Sequence, residues 1–106
     1  PGERKRIKTG IAMEIPMGYV GLVWDKSGVS FNNGIKTMAG VIDSGYRGEI
    51  KILVHNLSNT TYTFEKGMKV AQMLIQSVEQ RSILEVNELE ETKRGDGGFG
   101  STGLTN

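Results

Sequence analysis

The strongest constraint on this chain is its rhythm: apolar runs are short, and turn-forming residues interrupt them at intervals of about 8–12 residues. Ile11, Met13 and Ile15 share one face of an alternating stretch, which Pro16-Met17-Gly18 breaks. Tyr19 to Trp24 is a nearly continuous apolar run of strand length, and Met38 to Ile42 a shorter one. Glu49 to Asn56 alternates cleanly, with Ile50, Ile52 and Val54 on one face and Lys51, Leu53 and His55 on the other. Tyr62 to Phe64 and Met68 to Ile75 are two further expected strands, the second placing Val70, Gln72 and Leu74 together. Lys26 to Gly34 is rich in turn formers and allows at most one helical turn. In residues 79–93, Ile83, Val86 and Leu89 make only a thin stripe, too sparse for an amphipathic helix. About seven short strands without helical periodicity predict an all-β sandwich or barrel.

The 106 residues suffice for one domain with a modest core, burying roughly 60–70% of the unfolded surface. A net charge of +1 gives no electrostatic reason to expect nucleic acid or a membrane surface as partner. The absence of cysteine excludes disulfides, thiolate zinc sites and thiol catalysis, and one histidine, His55, excludes multi-histidine metal sites. His55 reads as a surface or half-buried strand residue. With no long apolar run and no secretory signal, a cytoplasmic protein is expected. Arg4, Lys5, Arg6 and Lys8 read as a solvated strand face rather than a nucleic-acid arm, since no aromatic interleaves them.

Four stretches could carry chemistry. Residues 40–50, GVIDSGYRGEI, end an apolar strand with Asp43 in a glycine-containing turn, followed by Tyr46 and Arg47. A carboxylate so placed suits orienting and deprotonating a water; the competing reading is a turn whose Asp side chain caps backbone N–H groups. Lys26, Ser27 and Gly28 offer a cation, a hydroxyl and an open backbone that could take a phosphate. Gln72 brings an amide to a strand, either as a buried ligand group or as a solvated edge residue. From Lys93 the chain has no core-forming pattern, and by composition reads as a flexible tail. Gly95, Gly97 and Gly100 satisfy the spacing of a dinucleotide fingerprint, but neither a strand before nor a helix after is expected. A phosphate-binding loop fails too, because Ser101 stands where lysine is required. The physics of converging backbone N–H groups remains: Arg94, Ser101 and Thr102 would add charge and hydroxyls, Phe99 a flat ring.

In this order, DKSGVS, AGVIDSGYRGEI, GMKVAQMLI and RGDGGFGSTG resemble the second to fifth motifs of the trimeric deoxyuridine triphosphatases, or dUTPases. The resemblance implies a jelly-roll-like β-barrel over residues 1–92 and an active-site lid over 93–106, in a homotrimer with sites between subunits. The implied reaction is hydrolysis of dUTP to dUMP and pyrophosphate, limiting uracil in DNA and supplying dUMP for thymidylate synthesis. Asp43 would hold the attacking water, and Tyr46 would pack under the deoxyribose and exclude a 2′-hydroxyl. The backbone from Thr37 through Gly40, Val41 and Ile42 would read the uracil edge. Lys26, Ser27, Gly28 and Gln72 would bind the phosphates. Arg94, Gly100, Ser101 and Thr102 would close over them, with Phe99 stacked on uracil. Mg²⁺ would be held mainly by the triphosphate and water, with no protein metal ligand named.

Two departures stand out. Lys26 replaces the arginine usual in the second motif, giving a point charge without a bidentate fork. The first motif, which carries an aspartate, would lie upstream of Pro1. An impaired nucleotide-binding or regulatory relative is therefore the alternative expectation. The related dCTP deaminases place a catalytic glutamate where Leu53 stands, so deamination is not expected. A plain β-sandwich interaction module would explain the strands but not the tail.

Overall fold

The structure, a computed structural model, describes residues 1–105. Six strands and one short helix follow in the order β1 (Arg4–Lys8), β2 (Tyr19–Asp25), α1 (Ser27–Asn33), β3 (Ile35–Met38), β4 (Val41–Ile42), β5 (Lys51–Asn56) and β6 (Ala71–Ser77). They form two three-stranded antiparallel sheets, ordered β1-β5-β3 and β4-β2-β6. The all-β class stands; among the described residues the sheets do not close into a barrel.

Register explains which residues are inside. Thr37 faces Val54 across β3 and β5, and Ile7 faces Ile52 across β1 and β5, so these residues share a face with Ile35. Ile35, Ile50, Val54 and Thr37 are buried there, and Ile15, also buried, reaches Gly21 of β2. The opposite face carries Arg4, Arg6 and Lys8 beside His55, Leu53 and Lys51. The basic N-terminal run is thus an exposed strand face, and His55 a half-buried strand residue, as the alternation implies.

Local chemistry corrects several expected boundaries. Met38 to Ile42 is not one strand: Ala39 and Gly40 both have positive φ, at 54° and 89°, and split it into β3 and β4. A Cβ on Gly40 would stand 2.8 Å from the Val23 carbonyl oxygen, so only glycine allows this close approach to β2. Lys26 to Gly34 holds the seven-residue α1, longer than one turn; left-handed Gly34 ends it by donating its N–H to the Ser30 carbonyl at 2.9 Å. Residues 11–15 are not in a strand and join the fold through the Ile50 N–H, which bonds the Ile11 carbonyl. Tyr62 and Phe64 also lie outside any strand, their rings meeting edge to face at 4.8 Å. β6 begins at Ala71 because a turn closed by Met68 N–H on the Glu65 carbonyl precedes it.

The Cα radius of gyration is 18.9 Å, against about 13 Å for a compact domain near 100 residues. The excess comes from the chain beyond β6. Among described residues past Val78, all are exposed except half-buried Gly97 and Gly98. Ile83, Leu84 and Leu89 are 98%, 82% and 87% exposed. Among the described residues no hydrogen bond ties residues 79–105 to the body. No described helix is long and apolar enough to cross a membrane.

Candidate active site

The third-motif turn is built by its own backbone. The Asp43 carbonyl accepts the Tyr46 N–H at 3.1 Å, and Arg47 donates to the Ser44 carbonyl at 2.7 Å. The Tyr46 hydroxyl donates to the Glu49 carbonyl at 2.6 Å, pinning the ring over Gly48. The Asp43 carboxylate makes no hydrogen bond with any described residue, so it does not cap the turn. It is exposed beside Tyr46, Val41 and Ile42 in a cleft of about 310 Å³, which Arg6 and Lys51 flank. A carboxylate with free lone pairs can accept a proton from water.

A second cleft, of about 360 Å³, opens between β2 and the β3–β4 segment, with Thr37, Gly40 and Val41 on one side and Trp24 and Asp25 on the other. Val41 lines both clefts, so the expected base-reading backbone adjoins the Asp43 turn. Thr37 gives both of its donors to Asp25: N–H to Oδ1 at 2.6 Å and hydroxyl to Oδ1 at 3.0 Å.

Asp25 is the residue that the sequence reading missed. Its other oxygen pairs with the Lys36 ammonium. Burial works against its charge, but the Lys36 ammonium and the Thr37 amide and hydroxyl together outweigh it and hold its carboxyl below the ordinary 3.8. Gln72, expected at the phosphates, donates its side-chain amide to the Asp25 carbonyl at 2.7 Å, across 47 residues of sequence. Gln72 thus stands where Lys26, Ser27 and Gly28 begin. Lys26 is the extended residue before α1, and Ser27 and Gly28 are exposed in its first turn.

The C-terminal residues stand apart. Tight turns are closed by Gly95 N–H on Thr92, Gly97 on Arg94, Ser101 on Gly98 and Gly103 on Gly100. Arg94 donates through Nε to the Gly97 carbonyl at 2.8 Å, bracing the glycine turn. Phe99 has φ 49° and is fully exposed, and Gly100, Ser101 and Thr102 are exposed beside it. No hydrogen bond joins this group to Asp43 or Lys26 among the described residues. Asn106 lies outside the described residues.

The dUTPase family model matches residues 1–103. The chain belongs to the dUTPase family. It is 46% identical over 106 residues to the deoxyuridine 5′-triphosphate nucleotidohydrolase of Rhizobium johnstonii, covering 98% of this chain and 68% of that one. It is 50% identical over 105 residues to the Clostridium kluyveri protein of that name, covering 97% and 73%. A mutant of the Staphylococcus bacteriophage 80alpha dUTPase, solved with dUpNHpp, superposes with TM-score 0.86 at 31% identity, covering 98% of this chain and 78% of that one. A mutant dUTPase from phage phi11 of S. aureus, described with a structural Mg(II) ion, gives 0.77 at 28% identity, over 86% and 76%.

The Asp43 turn and the Thr37–Ile42 backbone expected to read the base adjoin in this fold, with Val41 lining both clefts. Gln72 joins the second-motif segment through Asp25. The fifth motif is the part left separate.

Proposed function

We infer that this protein is a dUTP diphosphatase, hydrolysing dUTP to dUMP and pyrophosphate. The observation that carries the reading is the Asp43 carboxylate, unengaged and exposed in one cleft with Tyr46 and the backbone of Val41 and Ile42. Its kinship with nucleotidohydrolases at 46–50% identity supports the same chemistry.

In this reading Asp43 takes a proton from a water as the water oxygen bonds the α-phosphorus. The bond from that phosphorus to the bridging oxygen breaks, and pyrophosphate leaves with the electron pair. Tyr46 stacks under the sugar, and the carbonyls and amides from Thr37 to Ile42 read the uracil edge. Lys26, Ser27, Gly28 and Gln72 hold the phosphates. Arg94, Gly100, Ser101 and Thr102 close over them with Phe99 on the base, so residues 93–106 act as a lid on a body formed by 1–92. Mg²⁺ would neutralise phosphate charge. No cluster of three or more acidic or histidine side chains suited to a metal occurs among the described residues. Such an ion would be held mainly by the triphosphate and water, with the Asp43 and Glu49 carboxylates lining the same cleft.

The active form is a homotrimer whose jelly-roll-like barrels are completed in the assembly. The exposed Ile83, Leu84 and Leu89 support this, since an isolated chain would leave them in water. Lids then reach the sites of neighbours. A cytoplasmic setting remains part of the proposal.

The test is turnover of dUTP, dCTP, dTTP and UTP with Mg²⁺, followed by pyrophosphate release. Hydrolysis of dUTP at least 100-fold faster than the others is expected. Tight dUTP binding without hydrolysis would replace the enzyme with a nucleotide-binding relative.

A further inference from the structure

Asp25 occupies a junction that none of the four motif roles uses. Its carboxylate satisfies the Thr37 N–H, a backbone donor not taken up by the pairing to β5, and so caps that edge of β3. The same oxygen takes the Thr37 hydroxyl, and Thr37 is only 8% exposed. Lys36 covers the second oxygen. The Asp25 carbonyl is fixed separately by the Gln72 amide, at 2.7 Å. The next residues in the chain are Lys26, Ser27 and Gly28. One residue thus ties the base-reading strand to the phosphate-holding segment, through its side chain on one side and its main chain on the other.

We propose that Asp25 is a positioning residue: it locks residues 26–28 to Thr37 and thereby sets where the base-reading backbone stands when the phosphates are held. This deepens the dUTP reading and rests on it. Uracil and cytosine differ by an inverted pair on the base edge, an O4 acceptor and N3–H donor against an N4 amino donor and N3 acceptor, so backbone misplaced by an ångström reads them less sharply. Misplacement of that size costs about 100-fold in a positioned reaction. Asp25 touches no reacting atom in this scheme; it acts through Thr37 and through the chain entering α1.

The experiment compares Asp25→Ala, Asp25→Asn and Thr37→Val. For each, kcat/KM is measured for dUTP and dCTP, beside hydrogen exchange of the unliganded protein. The ratio of dUTP to dCTP should fall tenfold or more in Asp25→Ala. Asn keeps an acceptor for the Thr37 N–H and should recover part of it. Thr37→Val, which loses only the hydroxyl bond, should fall about threefold and covers the case in which Asp25→Ala does not fold. Exchange at Ser30, whose N–H bonds the Lys26 carbonyl, and at Thr37 should accelerate together in Asp25→Asn, while the amides of β1 and β5 stay protected. An unchanged selectivity ratio in the folded variants, with both substrates slowed equally, would overturn the proposal by making Asp25 a stability residue only. If the wild-type chain turns over no dUTP, the enzymatic reading fails, and exchange alone then decides the lock. Coupled acceleration upholds it, and unaltered or uncoupled exchange overturns it.

Discussion

A Cβ on Gly48 would stand 2.6 Å from the Tyr46 hydroxyl and 2.8 Å from the ring carbon that bears it. The ring therefore lies in space that only glycine leaves open. Its hydroxyl reaches the Glu49 carbonyl through that gap. Gly48→Ala should push the ring off this seat, and because Gly48 and the Tyr46 ring are both exposed the cost to the fold should stay under about 1 kcal/mol. Because Tyr46 is proposed to exclude a 2′-hydroxyl, the dUTP-to-UTP ratio of kcat/KM should drop as well. Thermal melts and the two substrates in parallel check this; a lower melting point with an unchanged ratio would leave Tyr46 structural.

Asp43→Asn should lower kcat by roughly 10²–10⁴-fold, the worth of a positioned general base. The melting temperature should hardly move, since the carboxylate makes no hydrogen bond among the described residues. Retained binding of dUTP by calorimetry would complete the pattern. Near wild-type turnover would remove Asp43 from the chemistry.

Deleting residues 93–106 should abolish most turnover and leave unfolding nearly unchanged. No hydrogen bond from the described part of this segment reaches the body, so only ligand-dependent contacts are lost. Steady-state rates and melts on the same preparation decide the matter; a large loss of stability would make the segment part of the core.

Acid should weaken the fold through Asp25. Its carboxyl titrates below the ordinary 3.8 when folded, so the folded state binds the proton less readily than the unfolded chain. The associated stability is fully present above pH 3.8 and disappears as pH falls through the folded value. Asp25→Asn should flatten the denaturant-midpoint curve below about pH 4 relative to wild type. Parallel acid limbs in the two proteins would count against it.

Sedimentation should find three chain masses in the active species. Leu84→Glu and Leu89→Glu, at positions 82% and 87% exposed in the single chain, should shift it toward smaller species with loss of activity. An active monomer would contradict the shared-site reading.

The middle of the fold was legible because β2 and β5 each have a face to bury, and burial writes a pattern into sequence. Alternation could not show the break at Ala39, a non-glycine residue with φ 54°, because backbone sign leaves no hydrophobic trace. Tyr62 and Phe64 have strand-like spacing, yet their rings pack on each other instead of on a sheet. At the candidate site, the pairing of Asp43 with Tyr46 was legible because one short turn supplies both. Asp25 was not: its partners Thr37 and Gln72 lie 12 and 47 residues away, and its acid beside Lys26 reads as ordinary surface charge. The motif order in the second half could suggest phosphate contacts for Gln72 but not the carbonyl it holds.

Thr92, Arg94, Gly98 and Gly100 each close a turn with a partner three residues on. A segment folded by such near-neighbour bonds carries its shape in its own sequence and borrows none from the two sheets. It is in effect a portable part. A free peptide of these residues, added to the truncated protein, should restore turnover in a concentration-dependent way, and lids exchanged between relatives should work on one another's bodies without repacking.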